Sequence, residues 1–285
     1  VSSHAPLSRP ASDLPVFDIA PARWFVPVRL AELWAYRELL YLLAWRDIRI
    51  RYKQTALGVA WAVLQPLVTM SVFTLFFGRL AGLPSDGFPY PLFTFCALLP
   101  WQLFAFALTE STASVVHHQR LITKVYFPRL VIPLAAVAVG LADFLCTLVV
   151  LGAMLAYYGI VPGWGVLTLP LWTLLALASA LSVGFWFSAL NVRYRDIRYT
   201  LPFLTQIWLF ATPVAYSSTL IPAEWRTLAA LNPMVGVVDG FRWALLGTAT
   251  FPGPTTLVSA AAVLVLLVSG AFYFRSVERT FADII

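Results

Sequence analysis

Four cations fall between positions 46 and 53, Arg46, Arg49, Arg51 and Lys53, and they are the densest concentration of chemistry in the chain. Guanidinium groups grip phosphate oxygens in a planar, two-pronged way, and a lysine adds a compact point charge. The cluster is therefore equipped to hold phosphate. At about 100° per residue of a helix, Tyr41, Trp45, Ile48 and Tyr52 share one narrow face, while Arg46, Arg49 and Lys53 line another. Aromatics on one side and cations on the other suit a helix lying in the headgroup layer of a membrane. Anchoring to bulk lipid explains such a helix; a substrate phosphate or a docking partner competes with that explanation. The tetrapeptide Arg-Asp-Ile-Arg at 46–49 recurs at 195–198. There, arginines snorkelling to headgroups beside a locally paired Asp account for the pattern.

Other polar residues stand out by their setting. The joint from His117 to Arg129 is short and mixed, and Leu121, Ile122, Val125 and Tyr126 have helical spacing. An apolar face exposed to the cytosol asks for a partner. Adjacent His117 and His118 point to different faces of a helix, which argues against a metal site. Glu110 and Asp143 lie inside apolar runs, where acids are functional candidates by default. Thr109 and Ser111 beside Glu110 favour helix–helix hydrogen bonding for it. For Asp143, structural pairing and a polar lumen stay open. Neither lysine, Lys53 or Lys124, follows a glycine, so no Gly-Lys-Ser/Thr phosphate loop exists. Asp-x-Asp metal pairs, nucleophile elbows and His-Glu-x-x-His sites are also missing from the sequence. The chain reads as a non-enzyme, with no cofactor of its own.

The elements that must position these residues are membrane helices. The chain has 285 residues, 60% apolar and 11% charged, far from the roughly one-quarter charged residues of soluble domains. Its apolar stretches run on without a period of two, which excludes a β-barrel. The net charge of +6 could suit nucleic acid, but the cations flank apolar spans, so lipid is their partner. Cys96 and Cys146 fall within apolar runs and read as small buried hydrophobes. Six spans are expected, near 58–78, 92–115, 131–158, 167–190, 201–217 and 255–274. Of the 19 Lys and Arg residues, all but Arg79, Arg226 and Arg242 fall on the side of the N-terminus, which makes both termini cytoplasmic.

Residues 219–250 are apolar enough to mimic a seventh span, but Asn232-Pro233 breaks them. The two resulting helices, roughly 10 and 13 residues, rise only about 15–20 Å each and cannot cross a core of about 30 Å. A re-entrant hairpin on the outer side is the expectation. Residues 1–32 form a polar, proline-rich cytoplasmic tail, 33–57 the amphipathic interface helix, and 58–285 the transmembrane domain.

Together, Arg46–Lys53 followed by Leu57-Gly58 and Trp61-Ala62-Val63-Leu64-Gln65-Pro66, the joint Lys124-Val125-Tyr126-Phe127-Pro128-Arg129, and Leu231-Asn232-Pro233-Met234 resemble one family. It is the permease of bacterial type-2 ABC exporters for polysaccharides such as O-antigen, capsule and teichoic acid. The likeness covers roughly 35–275. It implies an all-α polytopic protein of the inner membrane, working as a homodimer with two separate ATP-binding subunits that carry ATP and Mg. The implied substrate is a glycan linked to an undecaprenyl-diphosphate-type lipid. Arg46, Arg49, Arg51 and Lys53 would then meet the diphosphate. Trp61, Trp101, Phe104, Trp208 and Phe210 would offer flat faces to sugar rings. Tyr52, Leu121, Lys124, Tyr126 and Arg129 would couple to the ATPases. A type-2 exporter of a drug or small lipophile is the principal alternative, and a membrane glycosyltransferase or acyltransferase a distant one.

Overall fold

A computed structural model describes residues 30–53, 58–248, 253–278 and 281. Among them every regular element is a helix. α1 (Leu30–Ala35) and α2 (Arg37–Lys53) meet at a turn on Tyr36. The long helices are α3 (Gly58–Phe73), α4 (Tyr90–His117), α6 (Val131–Tyr157), α7 (Leu169–Arg193) and α11 (Pro254–Val277). A π-helical stretch, Thr74–Leu80, prolongs α3. The short α5 (Gln119–Ile122) follows α4. Five segments are long and apolar enough to cross a membrane, Ala60–Leu80, Tyr90–His117, Val131–Tyr157, Trp164–Arg193 and Pro254–Val277.

The centre of the bundle is α4, whose side chains are almost all buried from Leu92 to Leu108. It packs on α6 and α7, and α11 in turn closes on α7. Small residues allow the closest approaches. At Gly270 an added Cβ would come within 2.8 Å of the Ser182 carbonyl oxygen and 2.9 Å of the Trp186 ring, so only glycine lets α11 meet α7 there. On the opposite flank α3 is peripheral, with Trp61, Leu64, Val68 and Val72 exposed along its length.

The fifth expected span, 201–217, is helical only as α8 (Ile197–Ala211), 15 residues or about 22 Å long. Thr212 is extended because Pro213 follows it, and a proline cannot continue the helix. The hairpin expected at 219–250 is present as α9 (Ala223–Ala230) and α10 (Pro233–Leu246), of 8 and 14 residues. Asn232 caps α10, its side chain accepting from the Met234 N–H, and Gly247 ends the helix in the left-handed conformation at φ 67°. Ser218, Thr219 and Ile221 before the hairpin share a cavity of about 180 Å³ with Gly253, Thr255 and Thr256 after it. The two ends of the hairpin therefore lie together. The tail up to residue 29, the 54–57 connection and residues 249–252 lie outside the described residues.

Candidate functional site

The apolar stripe of α2 fixes how its cations point. Leu43 and Ala44 are buried against the bundle, with Leu39 and Leu40 packed beside them. One and two turns further on, the same stripe carries Asp47 and Arg51. Packing of the first half thus turns Asp47 and Arg51 toward the bundle, while most of the second half stays exposed. Tyr41 and Trp45, which share the expected aromatic face, stack on each other with ring centroids 6.4 Å apart and remain exposed.

Beneath that inward face lies a cleft in two chambers. The outer chamber, about 600 Å³, is bounded by Arg46, Asp47, Arg51, Glu110, His118 and Arg120. The inner one, about 370 Å³, is lined by Arg51, Trp61, Gln65, Trp101, Glu110 and Asp143, among others. Arg51, Phe106 and Glu110 border both, so the chambers adjoin across these three side chains.

The charges in this cleft are organised. The Arg51 guanidinium donates to Asp143 Oδ2 at 2.7 Å and lies over the Phe106 ring, 4.5 Å from its centroid. Tyr52 donates its hydroxyl to the other oxygen of the same carboxylate. Burial, then the bond to Asp143, raises the Tyr52 phenol above its ordinary pKa, which keeps the proton on the donor. Arg46 donates to Asp47 Oδ1 through both Nε, at 2.9 Å, and Nη2, at 2.8 Å, and its Nη2 also meets His118 Nε2. His118 Nδ1 lies 2.8 Å from the Ser114 carbonyl, which ties this group to the last turn of α4.

The structure divides the residues singled out in the sequence. Arg46 and Arg51 face the cleft. Arg49 does not line it: its guanidinium stacks over Trp45 at 5.3 Å, with the exposed aromatics, and the exposed Lys53 is also absent from the lining. The helical wheel grouped Arg46 with Arg49 and Lys53, but the burial of Leu43 and Ala44 sets Arg46 and Arg51 on the rim of the cleft instead, both still exposed. Tyr52 leaves the aromatic face for Asp143. Of the aromatics expected to meet sugar, Trp61 and Trp101 line the inner chamber. Phe104 is buried, 5.3 Å from Trp101 and 5.0 Å from Trp208 between ring centroids. Trp208 Nε1 is committed to Asn232 Oδ1 at 2.9 Å. Phe210 is exposed on α8, 6.4 Å from Phe73.

In the joint after α4, Ile122 and Phe127 are buried anchors while Val125 and Tyr126 project, Tyr126 with 88% of its surface exposed. Lys124, Tyr126 and Arg129 edge a small hollow of about 220 Å³, and Leu121 reaches the outer chamber. Arg129 is partly spent on Phe281, 5.9 Å from its ring centroid. The second Arg-Asp-Ile-Arg lies at the exposed α7–α8 corner, where Arg198 covers the Tyr199 ring at 5.0 Å, and it borders neither chamber. His118 and Arg120, from the joint singled out after α4, belong to the cleft, as does Gln102, which has no signal in the sequence. Of the two readings open for Asp143, the pairing is present, with Arg51; the space that it lines is mostly apolar.

A bundle of apolar helices penetrated by a charged cleft is the architecture of a membrane permease. This chain belongs to the ABC-2 type transporter family, whose pattern matches residues 38–246. It is 34% identical over 255 residues to the O-antigen export system permease protein RfbA of Myxococcus xanthus, covering 88% of this chain and 97% of that one. The corresponding protein of Klebsiella pneumoniae is 29% identical over 253 residues, 87% and 95% of the two chains. The polysialic acid transport protein KpsM of Escherichia coli is 24% identical over 247 residues, 85% and 93%.

Proposed function

We propose that this chain is the membrane permease of an exporter that moves a lipid-diphosphate-linked polysaccharide from the cytoplasm across the bacterial inner membrane. The cleft carries this reading. Two arginines at its outer chamber suit a diphosphate, and two tryptophans in its inner chamber suit the planes of sugar rings. The names of the relatives, for O-antigen export and polysialic acid transport, support the same substrate class. Two copies of the chain work with two ATP-binding subunits, on which ATP and Mg reside. The chain itself offers no Gly-Lys-Ser/Thr loop to hold a nucleotide. Both termini and the projecting Tyr126 face the cytoplasm, as the distribution of cations requires. Tyr126, with Lys124 beside it, docks on the ATP-binding subunit.

Exchange of arginine for lysine keeps interfacial charge and removes two-pronged phosphate binding. The double variant Arg46→Lys/Arg51→Lys should therefore cut glycan export at least about tenfold, with membrane insertion and ATPase assembly intact. Arg49→Lys, away from the cleft, should export as the unaltered protein does. Full export by the double variant would return both arginines to lipid anchoring and remove the support for a diphosphate.

A further inference from the structure

Arg51, the residue common to both chambers, is already engaged by an anion that the protein supplies itself. Asp143 comes from α6, 92 positions away in the chain, and binds the guanidinium at 2.7 Å. The Tyr52 hydroxyl holds the second carboxylate oxygen, which fixes the orientation of the acid. The neighbouring cation Arg46 is likewise occupied, by Asp47. An export site for a diphosphate lipid stands in a bilayer full of singly charged phosphodiester headgroups. An open pair of arginines there would be filled by ordinary lipid. Specificity of this kind needs an element that works against the wrong ligand as well as one that favours the right one.

We infer that Asp143 is an internal stand-in for the substrate anion: it keeps Arg51 closed to bulk anionic phospholipid and yields it to a diphosphate. A single phosphodiester replaces one carboxylate by one equivalent charge and gains nothing. A diphosphate brings two linked charged groups, one for Arg51 and one for Arg46 and His118 across the outer chamber; once the first is seated the second engages at high effective concentration, and the pair displaces both internal acids. Removal of the stand-in should not abolish diphosphate binding. It should destroy the exclusion of phospholipid.

This inference rests on the diphosphate reading above, and the test separates the two. The full exporter, this chain with its ATP-binding partner, is placed in nanodiscs of phosphatidylcholine alone or with a large fraction of phosphatidylglycerol. Binding of undecaprenyl diphosphate is then measured in each. In the unaltered protein, phosphatidylglycerol should change the affinity less than twofold, whereas in Asp143→Asn it should weaken it at least about tenfold, the worth of one charge-assisted hydrogen bond. Tyr52→Phe, which keeps the acid and loosens its hold, should move the same way by less, and it decides the matter if Asp143→Asn does not fold. General surface charge from phosphatidylglycerol acts equally on all three proteins. Equal insensitivity in both variants would overturn the stand-in while leaving the diphosphate site. Failure of the unaltered protein to bind undecaprenyl diphosphate in either disc would overturn both.

Discussion

Arg242 shows how one residue resolves a backbone problem inside the bundle. It is only 2% exposed, on a helix packed against α4 and α7. Beyond Ala211 the chain leaves the helix, and the carbonyls of Pro213, Val214 and Tyr216 lose intrahelical partners at a depth where water cannot replace them. Arg242 reaches across and donates to all three, at 2.8 Å, 2.8 Å and 3.1 Å, with its guanidinium 3.6 Å above the Phe93 ring. The Tyr90 hydroxyl serves Ala215 in the same way. Arg242→Met would leave these carbonyls buried and unpaired, at about 1–3 kcal/mol each. The melting temperature in detergent should then fall by roughly 10 °C, and Arg242→Lys, whose single nitrogen cannot span the fork, should fall between. An unchanged melting curve for Arg242→Met would show that these carbonyls are satisfied by other means. In sequence this residue is merely an expensive cation in an apolar hairpin. Its partners are carbonyls, which carry no side-chain signature, so its role is invisible until the fold is known. The pairing of Asp143 with Arg51 is hidden for a related reason: the two are distant in the chain, and no local rule joins them.

At the scale of elements, continuous apolar runs give the helices well, because a membrane helix must satisfy its own backbone and so declares its length. The expected spans 92–115 and 131–158 match Tyr90–His117 and Val131–Tyr157 within two residues. The fifth differs because hydropathy reads Pro213-Val214-Ala215 as more span, whereas proline stops the helix. The rotation of α2 was beyond a helical wheel, which orders faces but cannot say which face is bound; Leu43 and Ala44 decide that. The hairpin was legible, since Asn232-Pro233 is both a cap and a break. With α9 and α10 about 12 Å and 21 Å long, neither crosses a membrane, and their outer ends meet at one cavity. Cysteines placed at the exposed Thr219 and Thr255, in a background without Cys96 and Cys146, should react with an impermeant thiol reagent from the same, external, side of intact membranes. Reaction from opposite sides would mean that residues 219–250 make a seventh crossing.

At the scale of the whole molecule, several surfaces expose apolar side chains, and chemistry separates two of them. The outer face of α11 is mostly aliphatic, with Leu257, Leu264, Val265 and Val268 exposed, the last three lining a shallow groove with Ser269 and Phe272. Lipid chains satisfy such a surface completely. The flank formed by α3 and α8 is different. Trp61, Phe203, Ile207 and Phe210 are exposed there, and so is Gln206, whose amide would be costly against hydrocarbon, whereas the exposed Gln65 also borders the inner chamber. A face that mixes aromatics with an exposed amide suits another protein surface or a wet path, and the second copy of the permease proposed above would supply either. Cysteine at Gln206, in the background lacking Cys96 and Cys146, should therefore give a disulfide-linked dimer on mild oxidation in membranes. Cysteine at Leu264, on the aliphatic flank, should remain monomeric under the same treatment. A linked dimer through Leu264 and none through Gln206 would place the partner on the opposite flank and leave the Gln206 amide facing lipid without a physical reason.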